Sequence, residues 1–344
     1  MAASLFPLID TSSPVPLGGI PPQGEKNPLW PEPRVPSTMV GGGGPGRTAG
    51  TTQARPGARE APTPTAVEGG RILSRKHLVW IALMCVAVLA VGVLAAGCKP
   101  KNALEAIKKA GKIVVGTSAD YAPFEFVDEA TGAYTGFDVE LMEKIAEKLG
   151  VTVEWKDMDF DILLTSLVNG EIDAVIACMS IRPDRQEQAL FSDPYWTSPD
   201  AFLVRADSGL TITDPTTDLA GKKIGVQTGT IQETWVQDEL IATGKIAETD
   251  MSSYPRADQA VLDLVAGRVD AVFLDAGVAQ AFTTTQPVTV ALVHDLPGDP
   301  GIAVKLGEQA LIDEINRIIK ELTDDGTIQQ LGEKYEIAQA LLEG

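Results

Sequence analysis

The sequence places one arginine and one aspartate just beyond two strands whose composition is typical of a buried sheet. Arg185 follows a strand that ends near Ala177, and Asp275 directly follows a strand predicted over Val269–Leu274. Ligands of open α/β sheets bind outside the carboxyl ends of the strands, and a guanidinium can grip a carboxylate through two parallel hydrogen bonds. Both residues are therefore candidates for binding charged groups. The alternatives are an exposed surface position for Arg185 and a helix N-cap for Asp275.

The residues before Arg185 alternate between strand and helix patterns. The predicted order is strand Lys112–Thr117, helix Asp138–Leu149, strand Val151–Trp155, helix Phe160–Val168 and strand Ile172–Ala177. In the first helix the apolar residues recur on one side, and Gly150 supplies the stop. This β-α-β-α-β order predicts a parallel sheet with helices on both faces.

A second series of elements begins near residue 200 and predicts a second α/β lobe. Its members are strand Lys223–Gln227, helix Ile231–Ile241, helix Ala257–Val265, strand Val269–Leu274, helix Ala276–Phe282 and strand Val288–Val293. A short strand (Ile302–Val304) and two helices follow. The first of these, Leu311–Leu322, carries its large apolar residues on one stripe, which is typical of an amphipathic helix.

Composition excludes several classes of protein. The chain has 344 residues, 28 Lys plus Arg against 47 Asp plus Glu, and a net charge of −19, which disfavours nucleic acid as a partner. Three cysteines cannot form a disulfide framework. The two histidines, His77 and His294, are too few for His-rich metal sites and most His-based triads. We expect no metal and no cofactor.

The N-terminal part has the pattern of an exported protein. Residues 1–70 contain 13 Pro and 12 Gly without a helix or strand period, which predicts a disordered prefix. Residues 71–98 are predicted as a lipoprotein signal or membrane segment, because basic residues precede the uncharged run Leu78–Gly97. Small residues before Cys98 are similar to a lipobox, in which the cysteine is lipidated after cleavage. The alternative is an uncleaved anchor; both leave the rest of the chain on the extracytoplasmic face of the bacterial membrane.

Several motifs resemble the bacterial extracellular solute-binding proteins of family 3, the polar-amino-acid receptors of ABC importers. The first is Val115–Phe126, which reads VGTSADYAPFEF. The others, in the family's order, are residues 136–141, 158–161, 172–177, 191–195, 221–230 and 270–275. The resemblance covers about residues 105–338. The resemblance is carried by the joint occurrence of these motifs behind a lipobox.

The resemblance implies a two-lobed α/β fold of the type II periplasmic-binding-protein class. Each lobe would be a mainly parallel sheet flanked by helices, with the ligand in the cleft between them. Lobe 1 would comprise residues 103–195 and 297–344, and lobe 2 residues 200–293. Two hinge segments, near 196–199 and 294–296, would join them. The implied function is a monomeric receptor that binds a free polar amino acid and delivers it to the importer's permease.

The resemblance also implies roles for individual residues. Arg185 matches the clamp for the ligand carboxylate, and Asp275 matches the acid that binds the α-ammonium. Thr230 matches a carboxylate donor, with capping of the following helix as the alternative. Gln227 matches a position that often contacts the ligand side chain.

The remaining candidates would line the cleft. Tyr121 and Phe160 resemble the aromatic pair that encloses the aliphatic part of the ligand, although Phe160 could equally be core packing. Ser180 can donate its hydroxyl to the ligand or cap a helix, and the backbone near Ala177 and Cys178 offers polar groups. Cys178 departs from the family pattern, in which glycine is usual. A buried small side chain is the alternative, and a nucleophilic role is the weakest interpretation.

Ser118 completes the predicted ligand-binding set and bears on specificity. Receptors for basic amino acids in this family often carry Asp at the position of Ser118, so the sequence favours a neutral or broadly polar amino acid. Two other functions stay open. One is an exported dehydratase acting on a prephenate- or arogenate-type acid, for which Glu125 or Asp120 could supply the acid. The other is a sensor input module.

Overall fold

The computed structural model of the chain describes residues 100–337 and six positions nearer the N-terminus: 74, 76, 77, 79, 80 and 84. The predicted disordered prefix 1–70 and the predicted lipidation site Cys98 lie outside the described residues, as does most of the run Leu78–Gly97. None of the helices in the described part of the chain is both long enough and apolar enough to cross a membrane.

Strands and helices alternate along residues 100–337. The strands are β1 (Lys112–Thr117), β2 (Asp120–Tyr121), β3 (Glu125–Val127), β4 (Tyr134–Thr135), β5 (Thr152–Asp157), β6 (Ala174–Val175), β7 (Ala189–Phe191), β8 (Asp200–Arg205), β9 (Ile224–Gln227), β10 (Met251–Tyr254), β11 (Ala271–Asp275), β12 (Val288–Val293) and β13 (Ala303–Lys305). The α-helices are α1 (Ala103–Ala110), α2 (Phe137–Leu149), α3 (Leu163–Asn169), α4 (Pro183–Gln186), α5 (Pro215–Asp218), α6 (Ile231–Trp235), α7 (Ala257–Val265), α8 (Ala276–Thr285), α9 (Gln309–Asp324) and α10 (Thr327–Lys334). Short 3-10 helices occupy Phe160–Ile162 and Glu248–Asp250, and a π-helix occupies Val236–Ile241.

Two five-stranded sheets define the two lobes. The sheet of lobe 1 has the order β5-β1-β6-β13-β7, and the sheet of lobe 2 has the order β10-β9-β11-β8-β12. A small antiparallel sheet, β2-β3-β4, accompanies lobe 1. Lobe 1 thus takes one strand, β13, from the part of the chain that follows lobe 2. The two-lobed α/β architecture expected from the sequence is confirmed.

Each sheet contains one reversed strand, which the prediction of mainly parallel sheets did not specify. In lobe 1 the reversed strand is β13, and in lobe 2 it is β8; the other four strands of each sheet share one direction. Both are the first strands reached after the chain crosses from one lobe to the other. A strand that starts at the crossing begins at the edge where its neighbours end. It must therefore run against them.

Several element boundaries differ from the prediction. The predicted strand Ile172–Ala177 is a strand only over β6, and the predicted helix Ile231–Ile241 changes from α to π after Trp235. The predicted helix Phe160–Val168 begins as a 3-10 turn before α3. The predicted series also omit β2, β3, β4 and β7 of lobe 1 and β8 and β10 of lobe 2. The pattern of β10, with two serines in four residues, lacks the apolar composition on which strand predictions depend.

Helix α9 shows how the C-terminal part of the chain covers lobe 1. Its predicted apolar stripe is buried, with Leu311, Ile315 and Ile318 fully inaccessible to solvent. The helix packs on α1, α2 and α10 and contacts β7. Burial of such a stripe, at about 25 cal/mol per Å² of apolar surface, is what fixes an amphipathic helix on a sheet.

Gly136 lets helix α2 approach the turn at residues 122–124, which lies between the cleft residues Tyr121 and Glu125. Its backbone has φ 125° and ψ 174°, and a Cβ there would lie 2.2 Å from the carbonyl oxygen of Phe124. This close approach lets the first N–H groups of α2 donate to the chain before β3, from Phe137 to Pro123 O (3.0 Å) and from Asp138 to Phe124 O (2.8 Å). The turn that carries the cleft residues is thereby held against α2.

We predict that Gly136→Ala destabilises the fold by more than about 3 kcal/mol, because it adds both a disfavoured backbone conformation and a clash with backbone atoms. Urea unfolding followed by circular dichroism measures the loss. Gly132→Ala is the matched control, since Gly132 has φ 71° and a Cβ added there would meet no atom within 4 Å. That control should cost only about 1–2 kcal/mol. Equal losses in both variants would contradict the prediction.

Candidate functional site

A small cavity lies between the two lobes, where the strands of both sheets end. Its volume is about 10 Å³, roughly the space of one water molecule. Its lining residues are Tyr121, Glu125, Phe160, Ala177, Cys178, Ser180 and Arg185 from lobe 1, and Gln227, Thr230, Ile231, Gln232 and Asp275 from lobe 2. The structure therefore brings together every residue of the predicted ligand-binding set except Ser118.

Arg185 joins the two lobes from the wall of this cavity. It lies in α4, one turn beyond the segment that follows β6, and only 4% of its surface is exposed. Its Nη1 donates to Ser180 O at 2.7 Å, and its Nη2 donates across the cleft to Gly229 O at 2.9 Å. Its Cζ lies 5.4 Å from the centre of the Phe160 ring. The alternative of an exposed surface arginine is therefore wrong.

The charge of Arg185 is not balanced by a carboxylate in contact with it. Among the described residues, no salt bridge includes Arg185. Burial lowers the pKa of Arg185 to about 9, and the neighbouring charge of Arg182 adds to this shift. A buried cation whose donors meet only carbonyl oxygens favours the approach of an anion.

Asp275 forms the acidic part of the cavity. Its Oδ2 accepts a hydrogen bond from the Tyr121 hydroxyl of lobe 1 at 2.6 Å, and its Oδ1 accepts one from Ser198 at 2.5 Å. Asp275 occupies the N-cap position of α8, but its side chain makes no capping hydrogen bond. The capping alternative is therefore wrong: the carboxylate faces the cavity and joins the lobes.

A second carboxylate, Asp200, lies directly opposite Asp275 in the pairing of β8 with β11. The Gln232 amide donates to Asp200 Oδ1 at 2.5 Å and also approaches Asp275 Oδ2 at 3.4 Å. Burial raises the pKa of both carboxyl groups, and the charge of Asp275 raises the pKa of Asp200 further. Asp200 also binds the second crossing segment, accepting from Leu296 N at 3.1 Å. This end of the cavity therefore favours a cation.

Cys178 adopts a backbone conformation that favours glycine, with φ 43°. The position thus suits the glycine that is usual in the family. Its N–H donates to Asp138 Oδ2 at 2.7 Å, and its thiol lies 3.6 Å from Asp275 Oδ1. Burial raises the pKa of the thiol well above its usual value, and nearby carboxylates add to the shift. A neutral thiol is a poor nucleophile, which disfavours that role for Cys178.

Glu125 is a cavity residue for which the sequence suggests only a possible enzymatic acid. It is 1% exposed, and its Oε2 has no hydrogen-bond partner among the described residues; the same holds for Oδ1 of Asp138. Burial raises the pKa of Glu125 well above its usual value, and the charge of Asp138 adds to the shift. In its protonated form Glu125 can donate to Asp138.

The described residues contain no group of His, Cys, Asp and Glu suited to a metal ion.

The other predicted site residues make internal contacts. Thr230 caps α6, accepting from Glu233 N at 3.2 Å and donating to Gln227 O at 2.7 Å, so its capping alternative is realised. The Gln227 amide donates to Pro255 O at 3.2 Å. Ser180 does not cap a helix, since Arg182 precedes α4; its carbonyl instead accepts from Arg185.

Ser118 does not reach the cavity, in contrast to its expected place in the ligand-binding set. It is 1% exposed, and its hydroxyl donates to Asp120 Oδ1 at 2.7 Å. Asp120 in turn accepts from Ala257 N of lobe 2 at 2.5 Å. Ser118 therefore contributes to the contact between the lobes at a point away from the cavity.

Sequence reasoning missed two residues that line the cavity, and it named a third, Glu125, only as an enzymatic acid and not as part of the ligand-binding set. Ile231 and Gln232 occupy the first turn of α6, directly after Thr230, so the predicted helix start could have indicated them. Glu125 pairs with Tyr121 across the β2–β3 ladder, a register that short strands do not reveal in sequence.

Comparisons with known proteins agree with the two-lobed fold. The family model for bacterial extracellular solute-binding proteins, family 3, matches residues 113–338. The arginine-binding extracellular protein ArtP of Bacillus subtilis is 32% identical over 259 residues, 74% of this chain and 97% of that protein. A solved ancestral arginine-binding protein bound to glutamine is 38% identical, with a TM-score of 0.61, and the match covers 65% of this chain and 97% of that one.

A further solved structure is similar at the same level. It is the ancestral amino acid-binding protein AncCDT-1, a precursor of cyclohexadienyl dehydratase, which is 34% identical with a TM-score of 0.62 over 68% of this chain and 99% of that chain. The motifs identified in the sequence, the two-lobed fold and these likenesses lead to one assignment. The chain belongs to the bacterial extracellular solute-binding proteins, family 3.

Proposed function

We propose that the chain is an extracytoplasmic receptor that binds a free polar amino acid between its lobes and delivers it to an ABC importer. The observation that carries the proposal is Arg185, a buried cation without a carboxylate partner among the described residues, in a cavity that it shares with Asp275. A free amino acid offers the complementary pair of charges. Arg185 would take the α-carboxylate, and Asp275 would take the α-ammonium.

On ligand binding, Arg185 and Asp275 would exchange their internal hydrogen-bond partners for groups of the ligand, and the cleft would open and close again. A cavity of about 10 Å³ admits no amino acid, so the lobes must separate for entry. In the bound state the α-carboxylate would replace the carbonyl oxygens of Ser180 and Gly229 at Arg185. The α-ammonium would compete with the Tyr121 hydroxyl at Asp275. Closing the lobes again would complete the cage from both sides.

A dehydratase-like enzyme is the second candidate, and one observation favours it. Glu125 lines the cavity with a raised pKa, as a general acid would. AncCDT-1 is an amino acid-binding protein that is a precursor of such an enzyme. Against catalysis, Glu125 faces Asp138, which would hold its proton. We therefore place the receptor first.

We predict that Arg185→Ala weakens amino acid binding by about 100- to 3,000-fold, because the buried α-carboxylate would lose its cation. The measurement is isothermal titration with each amino acid that raises the melting temperature of the full-length protein. Arg317→Ala, on the exposed face of α9, is the control and should bind as wild type does. Unchanged binding in Arg185→Ala would contradict the site, and conversion of prephenate or arogenate by the wild-type protein would favour the enzyme.

We also predict a pH dependence that comes from Asp275. Burial raises the pKa of Asp275 above its usual value, so protons compete with the ligand ammonium for this carboxylate. Affinity should be constant between the raised pKa of Asp275 and the pKa of Arg185, which burial lowers to about 9. It should fall as the pH is lowered through the raised pKa of Asp275, by up to about tenfold per pH unit. Asp275→Asn should bind weakly and show a smaller fall in affinity on acidification than wild type. The dependence that stays would come from Asp200 and Asp120, whose pKa values burial also raises. A wild-type affinity that rises on acidification would contradict the assignment.

For attachment to the membrane we propose lipidation at Cys98. The uncharged run Leu78–Gly97 and the small residues before Cys98 support this. We expect the mature protein in membranes to begin at Cys98 and to carry acyl chains, and Cys98→Ser to prevent cleavage. Mass spectrometry of the membrane fraction tests this prediction. A wild-type mass that still includes residues 1–97 would show an uncleaved anchor instead.

A further inference from the structure

The lobes are also joined outside the cavity, by one arginine and three aspartates. Arg256 precedes α7 on lobe 2, and its Nε lies 2.9 Å from Asp159 Oδ1. Its Nη1 lies 2.8 Å from Asp157 Oδ1 and 3.5 Å from Asp120 Oδ1. All three aspartates belong to lobe 1. We call this set the Arg256 bridge, and none of its members lines the cavity.

Two of these aspartates also accept a backbone hydrogen bond, Asp120 from lobe 2 and Asp157 from within lobe 1. Asp120 Oδ2 accepts from Ala257 N, in the first turn of the nine-residue helix α7, at 2.5 Å. Asp157 Oδ1 accepts from Ala119 N at 3.0 Å within lobe 1. The side chain of Asp120 is only 5% exposed, and burial raises its pKa to about 6 although Ser118 and Arg256 oppose that shift. Enclosing the Asp120 carboxylate without these partners would therefore destabilise the closed cleft.

The Arg256 bridge differs in one respect from the contacts that Arg185 and Tyr121 make between the lobes. The bonds of Arg185 to Gly229 and of Tyr121 to Asp275 belong to the cavity, where a ligand would replace them. The groups of the bridge lie outside the cavity, so a ligand bound there would not replace them. Opening the lobes, in contrast, would break the bridge and leave three carboxylates near each other without their cation. The bridge thus stabilises only the closed arrangement, whatever the ligand is.

We propose that Arg256 is a positioning residue that sets ligand affinity by holding the lobes closed, without touching the ligand. This rests on the proposed function, namely binding in the cleft. The ligand enters an open cleft and is held in a closed one, and the bridge stabilises closed forms relative to the open form. Removing the bridge should therefore weaken the affinity for every ligand by one common factor. Part of the bridge is exposed, and salt should therefore weaken it.

The first test measures lobe closure without any ligand. Spin labels are attached through Glu147→Cys on lobe 1 and Glu239→Cys on lobe 2. Cys85 and Cys98 are replaced by Ser, and Cys178 by Gly, which its backbone conformation suits, so that no other cysteine can be labelled when the lobes open. Electron paramagnetic resonance of the otherwise full-length protein gives the distance distribution between the labels. We expect Arg256→Ala to shift this distribution toward longer distances and Arg256→Lys to lie between it and wild type.

The matched control is Arg268→Ala, because Arg268 is an exposed arginine on the same lobe whose salt bridge to Asp263 stays within that lobe. It should leave the distribution unchanged. Asp159→Asn is a second variant, suited to the test because Asp159 is half exposed and its loss should not prevent folding. If the distance distribution is unchanged both in Arg256→Ala and in Asp159→Asn, the proposal is overturned, whether or not any amino acid binds.

The second test uses L-glutamine and L-arginine as probes in titrations of the full-length protein. Arg256→Ala should weaken both by the same factor, about 5- to 30-fold, and the difference from wild type should shrink at high salt. Factors that differ strongly between the two probes would mean that Arg256 contacts the ligand, which would overturn the proposal. If wild type binds no amino acid, the proposed function fails, while the distance measurement still decides the role of Arg256.

Discussion

The closed cleft depends on holding a guanidinium and a carboxylate in one small cavity without an ion pair between them. Arg185 directs its donors at carbonyl oxygens, and Asp275 accepts from the hydroxyls of Tyr121 and Ser198. Removing each charged group from water costs several kcal/mol unless opposite charge compensates. Because the two charges lie on different lobes, the cavity keeps a positive end and a negative end. A zwitterion of matching length can neutralise both at once.

The chain's topology explains why these charges face one another. Each lobe is entered by a reversed strand, β8 or β13, that begins at the crossing, so the other strands of both sheets end at the shared cleft. Asp200 starts β8 and also binds Leu296 in the returning segment. Both crossings are thereby joined at the base of the cleft, beside Asp275. The carboxylates that would bind the ligand ammonium, Asp275 and its neighbour Asp200, therefore lie beside the crossing segments about which the lobes would move.

Much of this arrangement could be predicted from sequence, because strand ends are local features. Arg185 and Asp275 each follow an apolar strand, and the rule that ligands bind at such ends brings both to one cleft. The direction of a side chain is harder to predict when its partner is distant in sequence. The motif predicts Ser118 at the ligand, but its hydroxyl donates to Asp120, which contacts Ala257 on the other lobe. The positive φ of Cys178 likewise leaves no trace in composition.

In the proposed receptor, selectivity would follow from the fact that the charged groups of the cavity already have partners. A ligand gains little by forming hydrogen bonds that Ser180, Gly229 and Tyr121 also supply; it gains by bringing charge, which those groups lack. A molecule without a carboxylate or without an ammonium would therefore displace internal partners without replacing them fully. Discrimination among zwitterions must then come from the uncharged lining, where Phe160 and Gln227 would meet the ligand side chain. Closure through Arg256 would add the same free energy to every ligand and leave that discrimination untouched.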